Sequence, residues 1–235
     1  MKPWTLAWAV LAALAPLPAL ANPCDHQLTA RALVAPWNAA DQDFLNGRTT
    51  INYFFEMRPR RYRVVYGNEQ GHIVPGAPTQ SFRADPFYDH EKALGIQLIQ
   101  ATDRLISLDF RQVRRAKDAD LVIVGYCDPN DRKEGAVTQN ATGTQAIMIL
   151  NGCRGIATGA EDPIWLFLHE FGHALGLEHP FADSDGDCLY DNQPFSAASA
   201  HAGVTVMAYK PRPGGPPRFF TAYDIAVLQR IWGPE

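Results

Sequence analysis

The stretch that most constrains what this chain can become is Leu168-His169-Glu170-Phe171-Gly172-His173-Ala174-Leu175-Gly176-Leu177-Glu178-His179-Pro180, which reads H-E-x-x-H-x-x-G-x-x-H. In a helix, residues four apart lie one above the other, so His169 and His173 present two imidazoles to a single cation, with Glu170 beside them. Gly176 can take the left-handed backbone that ends a helix and turns the chain, which lets His179 supply a third nitrogen. Three histidines leave one tetrahedral position open for water, as a catalytic zinc requires and a structural zinc does not. Glu170 is spent on no ligand role and is the candidate general base.

The neighbouring residues suit such a site. Asp162-Pro163 reads as an N-cap followed by proline in the first helical position. The run Ile164-Trp165-Leu166-Phe167-Leu168 is apolar on nearly every face, which describes a helix buried in a core and able to hold its ligands rigidly.

The extended string resembles the signature of the metzincin zinc endopeptidases, and Val204-Thr205-Val206-Met207-Ala208-Tyr209 resembles that family's Met-turn. Together with the segment Tyr223 to Gly233, the similarity is greatest to the serralysin and matrixin branch, and it runs from about Asp85 to the C-terminus. The resemblance implies that Met207 forms a packing floor beneath the metal, and that Tyr209 stands near it as a second catalytic residue. It also implies that a strand at Gly135 to Gln139 runs antiparallel at the sheet edge and pairs with substrate. An edge strand offers unpaired amides and carbonyls to an extended peptide, which is a physical reason for a protease to keep one. Serralysins continue into glycine-rich calcium-binding repeats, and here a catalytic domain without them is expected.

Lys2, the apolar run from Trp4 to Leu20 and the ending Ala19-Leu20-Ala21 read as a secretory signal peptide over residues 1–21. The expected location is therefore extracytoplasmic, secreted or periplasmic. Residues 22–47 read as an N-terminal arm, and 48–235 as the catalytic domain. With 46% hydrophobic and 20% charged residues, that domain can bury one sizeable core. A net charge of -4 without long runs gives no footprint for nucleic acid or an anionic membrane, so the expected partner is a protein or peptide substrate acted on by a monomer.

Cys24, Cys127, Cys153 and Cys188 make an even count in an exported chain, so two disulfides are expected. Three pairings are open. Cys127 ends one expected strand and Cys153 follows another, which favours joining those two and leaves Cys24 for Cys188.

Strand composition marks Thr50 to Phe55, with an added hairpin at Arg61 to Tyr66, a loop from Pro75 to Phe82, and strands at Asp109 to Val113, Ala119 to Tyr126, Gly135 to Gln139 and Gln145 to Leu150. Asp85-Pro86 reads as the start of a long helix, with Leu94, Leu98, Ala101 and Leu105 on one face. Strand, helix, strand implies a parallel crossover. Thr221-x-x-Asp224 reads as the capping box of a last helix that turns Ile225, Leu228 and Ile231 or Trp232 inward. The loop Asp183-Ser184-Asp185-Gly186-Asp187 carries alternating carboxylates suited to a hard cation, which makes Asp183, Asp185 and Asp187 candidate calcium ligands.

The fold class that follows is α+β, with a twisted, mixed five-stranded sheet, long helices, and a loop-rich lower part after the zinc helix. The expected function is that of a zinc-dependent endopeptidase. Hydrolysis of another amide, such as a cell-wall cross-link, is a rival use of the same machinery. A zinc protein without turnover is a rival of another class, and Glu170 argues against it.

Overall fold

The computed structural model describes residues 27–35, 48–65, 78–128, 135–152, 162–182, 188–189, 196–197, 199–210 and 214–235. The expected signal peptide, Cys24, Cys153 and the aspartates of the acidic loop lie outside these residues. Cys127 and Cys188 are both disulfide-bonded.

One mixed sheet organises the described chain. Its strands are β1 (Thr50–Phe55), β2 (Arg60–Val65), β3 (Thr79–Ala84), β4 (Asp109–Gln112), β5 (Leu121–Tyr126), β6 (Gly135–Asn140) and β7 (Ala146–Asn151). They lie side by side in the order β3-β2-β6-β7-β5-β1-β4. The helices are α1 (Asp89–Asp103), α2 (Pro163–Ala174) and α3 (Ala222–Trp232). The class is α+β as expected, but the sheet has seven strands among the described residues where five were expected.

The additional strands come from the β2–β3 hairpin. The loop expected from Pro75 to Phe82 overlaps β3, whose own residues carry Ser81 but neither Gly76 nor Pro78, and β3 pairs antiparallel with β2 through Tyr62↔Phe82 and Val64↔Gln80. Cross-strand burial decides the matter, since Phe82 stacks on Tyr62 with ring centroids 5.9 Å apart and Ala84 is fully buried.

β1, β4 and β5 run parallel, as do β5 and β7. β1 leads through the hairpin and α1 to its parallel neighbour β4, the crossover that the sequence implied. β5 and β7 alternate their side chains between two packed faces. Leu121, Ile123, Met148 and Leu150 point into the larger core shared with the helices, while Val122, Val124, Ile147 and Ile149 point into a smaller core on the other face.

α1 starts at Asp89 and not at Asp85-Pro86. The Tyr88 amide donates to Glu91 Oε2 at 2.8 Å, which supplies the cap. Asp85 is drawn away to the sheet, where its amide donates to the Gly125 carbonyl at 2.9 Å. A Cβ on Gly125 would stand 2.8 Å from the Asp85 carbonyl oxygen, so this approach needs a glycine.

Candidate metal centre and active site

α2 begins as its sequence requires. Asp162 accepts from the Ile164 amide at 2.9 Å, Pro163 fills the first helical position, and Arg218 pairs with the Asp162 carboxylate at 2.8 Å. From Trp165 to Phe171 every side chain is buried, so the helix cannot shift without dragging the core along.

The helix ends where the glycine was placed. Gly176 has φ +94°. The Leu177 amide donates back to the Gly172 carbonyl at 2.9 Å, closing the last turn. The chain then runs antiparallel to residues from the N-terminal arm. The Ala35 amide donates to the Gly176 carbonyl and the Glu178 amide to the Leu33 carbonyl, both at 3.0 Å. Leu33 itself is fully buried in the main core, and the Tyr223 hydroxyl donates to the Leu28 carbonyl. Residues 28–35 thus strap the segment that delivers His179.

His169, His173 and His179 converge. His179 Nε2 lies 3.1 Å from both His169 Nε2 and His173 Nε2. The other ring nitrogens settle the protonation of two of the rings. His169 Nδ1 is 2.8 Å from the Val206 carbonyl, and His173 Nδ1 is 2.8 Å from the Leu177 carbonyl. Carbonyls only accept, so both Nδ1 atoms carry the proton and both Nε2 atoms present a lone pair. A cation drawn to these two lone pairs would find His179 Nε2, 3.1 Å from each of them, as a third donor. Nitrogens about 2.0–2.1 Å from one tetrahedral zinc would stand about 3.3 Å apart, close to the separations seen, so the donor set fits the metal. Burial also keeps the rings neutral, lowering His169 to about 3 and His173 to about 4, and pushing His179 well below its usual value. Among the described residues no other three such side chains gather.

Tyr209 joins this group, with its hydroxyl 2.7 Å from His179 Nε2 and its ring stacked on His169 at 5.3 Å. Glu170 is on the same helix, 5% exposed, beneath the first residue of β6. Met207 is fully buried, and its sulfur would lie 2.6 Å from a Cβ at Gly172, so it packs directly on α2. The turn that carries Met207 is anchored from α3. Asp224 accepts from Thr205 Oγ1 at 2.5 Å and from the Val206 amide at 3.1 Å, while it also closes the capping box with Thr221. Burial raises the Asp224 pKa, against these hydrogen bonds.

One expected feature differs, and another lies outside the described residues. β6 does run antiparallel to β7, but it is not the outermost strand, because β2 lies beyond it. Among the described residues, β2 pairs with Gln139 and Asn140 of β6. Asp183, Asp185 and Asp187 fall outside the described residues, and calcium has no support among the described ones. His90 stacks on Tyr88, and His201 Nδ1 accepts from the Gly203 amide, so neither belongs to the centre.

Gly135, Gly172 and Asp224 carry no local sequence signal of a place at the site. The H-E-F-G-H spelling does contain Gly172, but nothing local says that a sulfur from a distant turn needs its missing side chain.

Residues 139–201, a little over a quarter of the chain, match the model of the Peptidase M66 family. No curated protein sequence matches significantly. Among solved structures the chain is similar to high choriolytic enzyme 1, a hatching enzyme zinc-protease from Oryzias latipes (medaka fish). The identity is 14%, the match covers 91% of this chain and 96% of that one, and the TM-score is 0.36. The matched segment contains all three histidines, and with their grouping it supports zinc metallopeptidase as the enzyme class of this chain.

Proposed function

We propose that the chain is an exported zinc endopeptidase whose Met-turn and tyrosine are arranged as in the serralysin and matrixin branch of the metzincins. The observation that carries the reading is the convergence of three histidine Nε2 atoms, two of them fixed as lone pairs, beside a buried glutamate that is not one of the group. A zinc bound by these nitrogens would lower the pKa of water and polarise the scissile carbonyl. Glu170 takes the proton of the attacking water and returns it to the leaving amine. The Tyr209 hydroxyl, beside His179, donates to the oxygen on which charge develops. Gly135 to Val137, for which β2 supplies no partner among the described residues, is where an extended substrate would add its strand.

The test is hydrolysis of casein by the purified protein, with cell-wall fragments as a second substrate. Cleavage of casein that a chelator abolishes and added zinc restores is the expected result. Cleavage of the cell-wall fragments alone would move the substrate to a non-protein amide, and zinc retention without turnover on either would overturn the enzyme reading.

A further inference from the structure

A cleft of about 830 Å3 opens at the carboxyl ends of the parallel strands β1 and β4, and it shares no lining residue with the histidine centre. Its cationic wall is made by Arg58, Arg60, Lys92, Arg114, Arg115 and Lys117, and the one carboxylate in the lining is Glu56. The whole chain has 21 Lys and Arg and a net charge of -4, so so dense a gathering of cations does not follow from composition.

Glu56 is one negative charge against six positive ones, and it faces Arg60. It is 4% exposed and already accepts from the Tyr62 hydroxyl at 2.8 Å and from the Arg58 amide at 3.2 Å, with Arg60 standing 3.6 Å away. Arg115 is paired with Asp118, which is not part of the lining, through contacts of 2.5 and 3.1 Å. Among the described residues no carboxylate pairs with Arg58, Lys92, Arg114 or Lys117. Like charges on the walls of a concave site repel one another and focus a positive potential into it, which costs stability until an anion enters. Guanidinium groups from two strand ends, with ammonium groups beside them, fit a multivalent oxyanion through paired hydrogen bonds.

We propose that this cleft binds a phosphate- or sulfate-type group, independently of the peptidase site. The group has two sources, a free ion or an ester on a polymer, and the experiment separates them. Zinc-loaded full-length protein is titrated calorimetrically at low ionic strength with sodium pyrophosphate, and separately with dextran sulfate against neutral dextran. The same titrations are made on Arg58→Ala/Arg114→Ala and on a control, Arg83→Ala/Arg104→Ala, which removes two exposed cations elsewhere. Lys117→Ala is a second variant in the cleft, and thermal melts confirm that each variant is folded.

Saturable binding of pyrophosphate is expected, weakened at least about tenfold in Arg58→Ala/Arg114→Ala and weakened in the same direction by Lys117→Ala. The control pair should bind as the parent does. Tighter binding of dextran sulfate than of pyrophosphate identifies an ester on a polymer, and preference for pyrophosphate identifies a free ion. Absence of saturable binding by either anion, or an equal loss in the control pair, overturns the proposal.

Discussion

Gly135→Ala is the most informative small change near the proposed base. A Cβ at Gly135 would lie 2.4 Å from Glu170 Oε1 and 2.5 Å from its Cδ and Cγ. Carbon contacts relax only near 3.5–4.0 Å, so the carboxylate must retreat by roughly 1 Å or β6 must lift away. A proton carrier works across about 2.6–3.2 Å, and a misplacement of about 1 Å costs on the order of a hundredfold in rate. The kcat for peptide hydrolysis should therefore fall about a hundredfold, with zinc content unchanged, since the displaced side chain is Glu170 and not one of the three histidines. Overpacking should also lower stability by about 1–3 kcal/mol. The assay is single-turnover cleavage of a quenched fluorescent peptide, with zinc measured on the same sample. In the double variant with Glu170→Gln the two losses should not add, because both act through one carboxylate. A Gly135→Ala protein with kcat within threefold of the parent, or with losses that add fully, refutes the reasoning.

Leu33→Ala should cost about 3 kcal/mol in chemical denaturation, because Leu33 is fully buried and its neighbours strap the segment before His179; zinc should also pass more readily to a competing chelator. Asp224→Ala strips the buried Thr205 hydroxyl and Val206 amide of their acceptor and breaks the α3 cap, so a loss of about 2–4 kcal/mol is expected in the same assay, with zinc affinity falling as the Met207 turn loosens. In chelator-stripped protein the folded state holds His169 and His173 neutral, at about 3 and about 4, whereas unfolded histidine takes up protons near 6.5. The unfolded state then binds more protons, so stability should fall as pH drops from neutrality toward 5, by up to about 2 kcal/mol for each histidine. A pH-independent unfolding midpoint in the stripped protein would contradict that protonation.

Much of the centre could be read from the sequence because its parts are local. His169, Glu170, His173 and Gly176 lie within two turns and a cap, where helical spacing and the left-handed glycine fix their relation. Thr221 and Asp224 likewise sit in one turn. Tyr209 and Met207 needed a resemblance to be placed, since nothing between His179 and Val204 says how the chain returns. What could not be read depends on contacts between segments far apart in the chain. β3 looked like loop until its pairing with β2 gave Phe82 and Ala84 a place to bury. The helix start moved from Asp85 to Asp89 because the Gly125 carbonyl competes for the Asp85 amide. The engagement of Leu33 with the main core, and the need for a missing side chain at Gly135, are properties of the assembled packing that no local pattern encodes.

The central claim is that three histidines hold a zinc while the glutamate beside them moves the proton. The most direct test is Glu170→Gln, measured for zinc by elemental analysis and for peptide cleavage under single-turnover conditions. The glutamine keeps the size of the side chain and removes the base, so about one zinc per chain should remain while turnover falls at least about a hundredfold. Near-parental cleavage by Glu170→Gln with zinc bound would contradict the account.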